Sequence, residues 1–190
     1  MARKASRRLV VDASVARSAT LSDNPTSTAC REFLQAIYDI CHQIVLSADI
    51  SREWDYNVLQ IRTSADKQRT RFIANWMVAM SRRKGGKILR PRVDRDEALR
   101  TKINRLGLSG NDRHQITEDL HLVEAALASD RIVVSRDDSV RALLQSITGS
   151  CPEVEKVLWC NPVELGEEAL EWLRTGARVV KAWQLGSKRP

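Results

Sequence analysis

Four carboxylates in this 190-residue chain lie beside short apolar runs. Asp12 directly follows Leu9-Val10-Val11, and Glu53 falls in the first turns after Ile44-Val45-Leu46-Ser47. Asp119 precedes Ile132-Val133-Val134 by a helix length, and Asp137 comes just after it. Gathered in one pocket, such groups would repel one another until a cation neutralised them. Oxygen donors suit the hard ions Mg²⁺ and Mn²⁺, and one or two such ions can activate water for phosphodiester hydrolysis. Each acid also has a plainer role open to it. Glu53 could be a solvated helix carboxylate, Asp119 could complement a helix dipole, and Asp137 could be an N-cap. Asp12 is harder to explain in that way, because a carboxylate closing a buried strand loses hydration that only a cation, several hydrogen bonds or a basic neighbour such as Arg136 can replace.

The elements that must position these acids follow from periodicity. Leu9-Val10-Val11 reads as a buried strand, Thr26 to Gln43 has helical spacing, Ile44 to Ser47 is a second strand, and a helix follows from about Asp49. Residues 63–84 continue in helical style, with a Phe72, Ile73, Trp76, Met77 and Met80 stripe that could be core or a dimer seam. Gly85-Gly86 breaks this helix, Arg90-Pro91-Arg92 reads as a loop, and Asp94 to Leu106 ends in a short amphipathic helix. Gly107 to Arg113 reads as a loop, with Thr117 as the N-cap of a helix from Glu118 to Ala128. A strand at 131–135, a helix to Ile147, a strand at 157–160 and a helix at 164–173 complete the chain. Strands alternating with helices predict an α/β domain, a parallel sheet covered on both faces. Ligands of such sheets collect outside the carboxyl ends of the strands.

Composition narrows the class. The chain is 43% hydrophobic and 29% charged, with eight Gly and five Pro, which excludes a largely disordered or fibrous protein. Its net charge of +7 is unevenly placed: residues 62–105 hold 14 basic and four acidic groups, whereas the rest hold 17 and 20. One basic segment in a mildly acidic body suits an anionic polymer or a solvated helical face. Cys30, Cys41, Cys151 and Cys160 form neither a zinc spacing nor a disulfide framework. With no apolar run of membrane-spanning length, a cytoplasmic protein with reduced thiols is expected. A phosphate loop, a nucleophile elbow, an HExxH helix and an Asp-x-Asp phosphatase motif are all missing.

Taken in order, VVDAS at 10–14, LSADISREW at 46–54, DLHLVEAAL at 119–127 and IVVSRDD at 132–138 resemble the PIN-domain ribonucleases. The resemblance covers about residues 7–160. It implies a Rossmann-like three-layer domain over 1–176, with 62–113 as a basic helical arm or insertion and 177–190 as a basic tail. It implies metal ligation by Asp12, Glu53, Asp119 and Asp137, with Asp138 assisting or replacing Asp137 and Ser14 and Ser135 as accessory groups. Many relatives carry Thr-Gly-Asp or Thr-x-Asp at the fourth acid, where this chain has Ser135-Arg136-Asp137. Glu32 and Asp49 are rivals to Glu53 as the second acid, and His114 and His121 lie where a substrate could touch them.

The implied activity is Mg²⁺- or Mn²⁺-dependent endonucleolytic hydrolysis of single-stranded RNA, in some relatives as a toxin restrained by an antitoxin protein. Arg82, Arg83, Lys84, Lys87, Arg90, Arg92 and Arg136 are the expected backbone-gripping residues. A DNA-directed nuclease with the same pocket and a non-catalytic nucleic-acid-binding module are the alternatives.

Overall fold

Every residue of Leu9-Val10-Val11 is fully buried, and burial on both faces of a strand is what a continuous apolar run predicts. In the computed structural model, which describes residues 6–60, 64–83 and 86–187, this run is β1 (Arg8–Val11), the central strand of a five-stranded sheet. The other strands are β2 (Gln43–Val45), β3 (Ile88–Leu89), β4 (Ile132–Val134) and β5 (Leu158–Cys160), in the spatial order β3-β2-β1-β4-β5. All pairings are parallel, with Val10 opposite Val45 on one side and Val133 on the other. The expected α/β architecture with a parallel central sheet is therefore present.

The helices form the outer layers. On one face α2 (Pro25–Ile40) packs on α4 (Ser64–Arg82), α9 (Pro162–Leu165) and α10 (Glu167–Arg174). Opposite them, α6 (Gly110–Leu127) lies on β1 and β4, flanked by α5 (Glu97–Arg105) and α7 (Asp138–Ser146). Two short helices, α1 (Ala13–Ser18) and α3 (Ala48–Asn57), follow β1 and β2 and touch each other. A last short turn, α8 (Pro152–Glu155), leads into β5. No helix among the described residues is long and apolar enough to cross a membrane.

Several expectations require correction. The segment 62–113 is built into the layers: just before the expected loop at Arg90-Pro91-Arg92, which is present, it supplies the edge strand β3, and it places Ile73, Trp76, Met80, Leu99 and Ile103 in the core. Trp76 is 4% exposed and donates its indole N–H to the Leu34 carbonyl at 2.8 Å, and Met80 is fully buried. Neither is therefore free to form a dimer seam. The loop expected at 107–113 is largely helix: the Ser109 hydroxyl accepts from the Asp112 backbone N–H and starts α6 two turns earlier than Thr117. Ser, Gly, Asn and Asp serve equally in a turn and in a helix N-terminus, so composition cannot separate the two. Thr117 instead donates to the Arg113 carbonyl from within the helix.

The C-terminal segment is also structured as far as residue 187. A 3₁₀ turn at Lys181–Trp183 buries Trp183 edge-on against Trp172, with ring centroids 5.2 Å apart, and Gln184 bridges to Leu158. Trp183→Ala is expected to cost about 3–5 kcal/mol of stability, read as a lower denaturation midpoint at unchanged slope. A free tail would leave the midpoint where it is.

Candidate active site at the carboxyl edge of the sheet

In the order β3-β2-β1-β4-β5 the strands are added outward in one direction from β1 to β3 and in the other from β4 to β5, and the carboxyl ends of β1 and β4 open the crevice at this switch point, where parallel sheets hold ligands. Asp12 leaves β1 at this point, and Ser135-Arg136-Asp137 leaves β4 beside it. The Asp12 backbone N–H still donates to the Val134 carbonyl at 3.0 Å, so the carboxylate starts from the last rung of the ladder. Only 5% exposed, Asp12 accepts from three donors: the Ser14 backbone N–H at 3.2 Å, the Ser14 hydroxyl at 2.5 Å and the Ser135 hydroxyl at 2.6 Å. Burial nevertheless raises its pKa, the Ser135 and Ser14 hydrogen bonds oppose the rise, and the charge of Glu53 adds to it. Ser135 in turn accepts from the Asp137 N–H at 3.0 Å, and Ser14 from the Arg136 N–H at 3.2 Å. Both serines thus knit the two strand-end turns together around Asp12.

Glu53 is brought in by its neighbour. The Trp54 side chain is 1% exposed and donates its indole N–H to the Val11 carbonyl at 3.0 Å, which pins α3 across the end of β1. The same helix is capped by Ser47 immediately after β2. Asp119 arrives from the other face on α6, which packs against β1, β4 and α3. Its carboxylate has no hydrogen-bond partner among the described residues. Burial and then the charges of Asp12, Asp137 and Glu53 raise its pKa to about 7, against the lowering effect of His121.

These mutual effects sort the candidates. Asp119 feels the charges of Asp12, Asp137 and Glu53, and Asp12 feels that of Glu53. Asp138 is turned away, accepting from the Asn161 side-chain amide at 2.8 Å beyond β5. Of the rivals for the second acid, Glu32 is exposed on α2 and lines a groove with Glu167 and Arg174, while Asp49 is paired with Arg52. As the side chains stand, no three His, Cys, Asp or Glu among the described residues form a ready-made ligand group. In donor chemistry the set still fits a hard cation, with four carboxylates around one edge and one of them, Asp119, short of any partner. Asp12 is the most buried member; Asp137 is exposed and accepts from the Val140 backbone N–H at 2.9 Å as the N-cap of α7, and Glu53 is held by His121.

His121 belongs to the site, whereas His114 is exposed. The His121 Nδ1 lies 2.8 Å from the Glu118 carbonyl and its Nε2 3.2 Å from a Glu53 carboxylate oxygen. With acceptor oxygens facing both ring nitrogens, the setting favours the doubly protonated ring, paired with Glu53. Burial opposes that charge, but the Glu53 and Glu118 hydrogen bonds with the Glu53 and Asp119 charges outweigh it, and the pKa is raised. Trp54 is thus a part of the site that strand-end reasoning did not select, and His121, considered only as a residue a substrate could touch, enters it as the partner of Glu53. Their signal lay in proximity, as each stands within two residues of a carboxylate already chosen.

The sheet divides the basic residues. Arg90 and Arg92 follow β3 and emerge at the carboxyl edge, where Arg90 donates to the Ser51 hydroxyl on α3 at 2.9 Å and Arg92 pairs with Asp94. Lys87 precedes β3 and Arg82 ends α4, at the amino edge; Arg83 packs there over the Tyr38 ring at 4.4 Å and donates to its carbonyl at 2.6 Å. Lys84 lies outside the described residues. Strands of three or four residues separate the two edges by about 10–13 Å. Arg136 is at the correct edge, but its guanidinium is turned onto α1, where it donates to the Ser18 hydroxyl.

An acid whose pKa is raised on folding costs stability once it ionises. For Asp119 that cost begins above the unfolded value near 3.8 and is complete above about 7. Metal-free Asp119→Asn protein is therefore expected to gain melting temperature over the wild type between about pH 4 and 7 and to hold the gain above. A constant difference across that range would refute the shift. Compared with family models, characterised proteins and solved structures, the chain gives no match to any of them.

Proposed function

We propose that this protein is a metal-dependent endonuclease of PIN-like design, hydrolysing single-stranded RNA at the carboxyl edge of its sheet. The observation that carries the reading is the electrostatic coupling of Asp12, Glu53, Asp119 and Asp137, delivered by four separate elements to one switch point. Structural carboxylates are ordinarily dispersed or paired with cations, because unpaired like charges destabilise one another. Here the burial and repulsion at Asp119 have no offsetting hydrogen bond, and a site of this kind trades stability for ligand binding.

Asp12, Glu53, Asp119 and Asp137 would hold the cation. Bound Mg²⁺ or Mn²⁺ would supply neutralisation of the phosphate charge and a lowered pKa for the attacking water. The chain's own residues do the positioning. Ser14 and Ser135 hold the Asp12 carboxylate in one orientation, and Trp54 keeps Glu53 over the end of β1. His121 occupies one oxygen of Glu53, so it balances part of the negative charge when no cation is bound and keeps the side chain directed at the site. Hydrolysis would leave a 5′-phosphate and a 3′-hydroxyl, without a covalent enzyme intermediate.

Asp12→Asn is expected to lower Mn²⁺-dependent cleavage of a single-stranded RNA by more than about 10²-fold while near-UV circular dichroism stays native. Cleavage that survives both EDTA and this substitution would overturn the assignment. Matched RNA and DNA oligonucleotides in the same assay decide the substrate sugar. One observation favours a second reading, a nucleic-acid-binding module without catalysis: Arg82 and Lys87 lie at the far edge from the carboxylates. Under that reading Mn²⁺ gives neither cleavage nor a rise in melting temperature, and binding alone shows a steep salt dependence.

A further inference from the structure

A cleft of about 400 Å³ opens beside the carboxylates, between α3, α6 and the segment that enters α5. Its walls are polar, with Asp49 and Arg52 on α3, Arg95 and Arg100 on the α5 side, and Thr117, Glu118 and His121 on α6, so that three guanidinium groups face two carboxylates. His121 is common to both places: it lines the cleft, and its Nε2 holds Glu53. The cleft and the carboxylate group are therefore separated by one side chain.

The guanidinium groups here are held in different ways. Arg100 is fixed, its Nε and one terminal nitrogen each 2.9 Å from an oxygen of Glu124, whose side chain is 4% exposed. The Asp96 backbone N–H also donates to that carboxylate, at 2.9 Å. This fork-to-fork pairing leaves the second terminal nitrogen, Nη1, with its donors unused by Glu124. Arg52 is largely exposed and paired with Asp49 across one helical turn, an arrangement that contributes little to stability and is easily exchanged. Arg95 is exposed, with no side-chain partner among the described residues. Just outside, the Arg90 guanidinium donates to the Ser51 hydroxyl. Planar forks of this kind suit phosphate, and the volume falls in the range of pockets that enclose a small ligand, about 300–1,000 Å³.

We propose that this cleft is a backbone subsite, holding a phosphodiester of the strand next to the one presented to the carboxylates, with Arg52, Arg95 and the Nη1 of Arg100 as its donors. It rests on the nuclease reading for which strand is presented, and it adds the direction in which that strand leaves, past His121 and over α3 toward Arg90. A fixed guanidinium from Arg100 sets the position of the phosphate. The exposed pair, Arg52 and Arg95, closes on it from either side. Nothing in this arrangement reads a base, so the grip is independent of sequence.

The test uses exposed residues, because Arg100→Gln would leave buried Glu124 unpaired and threaten the fold. Binding of a fluorescent single-stranded RNA oligonucleotide is followed by anisotropy in EDTA over a range of salt, for wild type, Arg52→Gln/Arg95→Gln and Arg82→Gln/Lys87→Gln. The cleft pair is expected to weaken binding about tenfold and to reduce the salt slope by up to about 0.7, the value for one lost phosphate contact. The pair at the far sheet edge is expected to change it less. Equal affinity and slope for the cleft variant, or a larger loss for the far-edge variant, would overturn the subsite.

Inorganic phosphate competing as strongly as unlabelled oligonucleotide would also overturn it, by assigning the cleft to a free anion. The nuclease reading is judged separately by Mn²⁺-dependent cleavage in wild type. Tight binding through the cleft pair without cleavage removes catalysis and keeps the subsite, and cleavage with an indifferent cleft pair does the reverse.

Discussion

Burying one carboxylate at the end of the central strand is the constraint around which this structure is organised. An ionised group removed from water costs several kcal/mol unless its lone pairs are met. Asp12 meets that demand with two hydroxyls and one backbone N–H, drawn from its own turn and from the turn after β4. Satisfying it forces the two strand ends into register and couples the turns through the Asp137 and Arg136 backbone N–H groups. Even so, burial keeps the Asp12 pKa above its ordinary value. The neighbouring acids enlarge the imbalance, since each further negative charge raises the cost of the others. A pocket of this kind is held together by the surrounding fold, against its own electrostatics.

That fold supplies anchors placed within two residues of the acids. Trp54, beside Glu53, is buried and bonded to the carbonyl that precedes Asp12. Two positions beyond Asp119, His121 ties α6 to α3 through Glu53. Farther along the same helix Glu124 accepts from Arg100 and from the backbone of Asp96, binding α5 to α6. Side chains that carry negative charge and side chains that fix the helices alternate along α3 and α6. Rigid placement of the acids and tolerance of their repulsion thus have the same structural source.

The distribution of positive charge takes its meaning from the parallel sheet. All five strands run one way, so a residue before a strand and a residue after it belong to opposite edges of the domain. Lys87 and Arg90, three positions apart, are separated in this way by β3. The basic segment from 62 to 105 therefore acts as no single patch. Part of it serves the amino edge, where Arg83 stacks on Tyr38; part reaches the carboxyl edge with the acids, where Arg95 lines the adjoining cleft. Linear charge density in the sequence indicated an attraction to polyanions but not where on the surface it would act.

Residue order and local periodicity determined the α/β class, four of the strands and the strand-end positions of Asp12 and Asp137, because each depends on a few neighbouring side chains. Their limits show where local information fails. The two-residue strand β3 is too short to have a period and exists because β2 offers it an edge. The start of α6 was hidden in residues that suit a turn equally well. Trp76 and Met80 form a stripe that looks the same whether the core or another chain covers it. Tertiary structure alone decided that Glu53, and neither Asp49 nor Glu32, shares the field of Asp12 and Asp119. It alone turned Asp138 toward Asn161 and gave His121 two acceptors at once. Charge–charge and hydrogen-bond energies depend on separation in space, and residues 41 or 107 positions apart acquire a separation only when strands, crossovers and helices have all been packed.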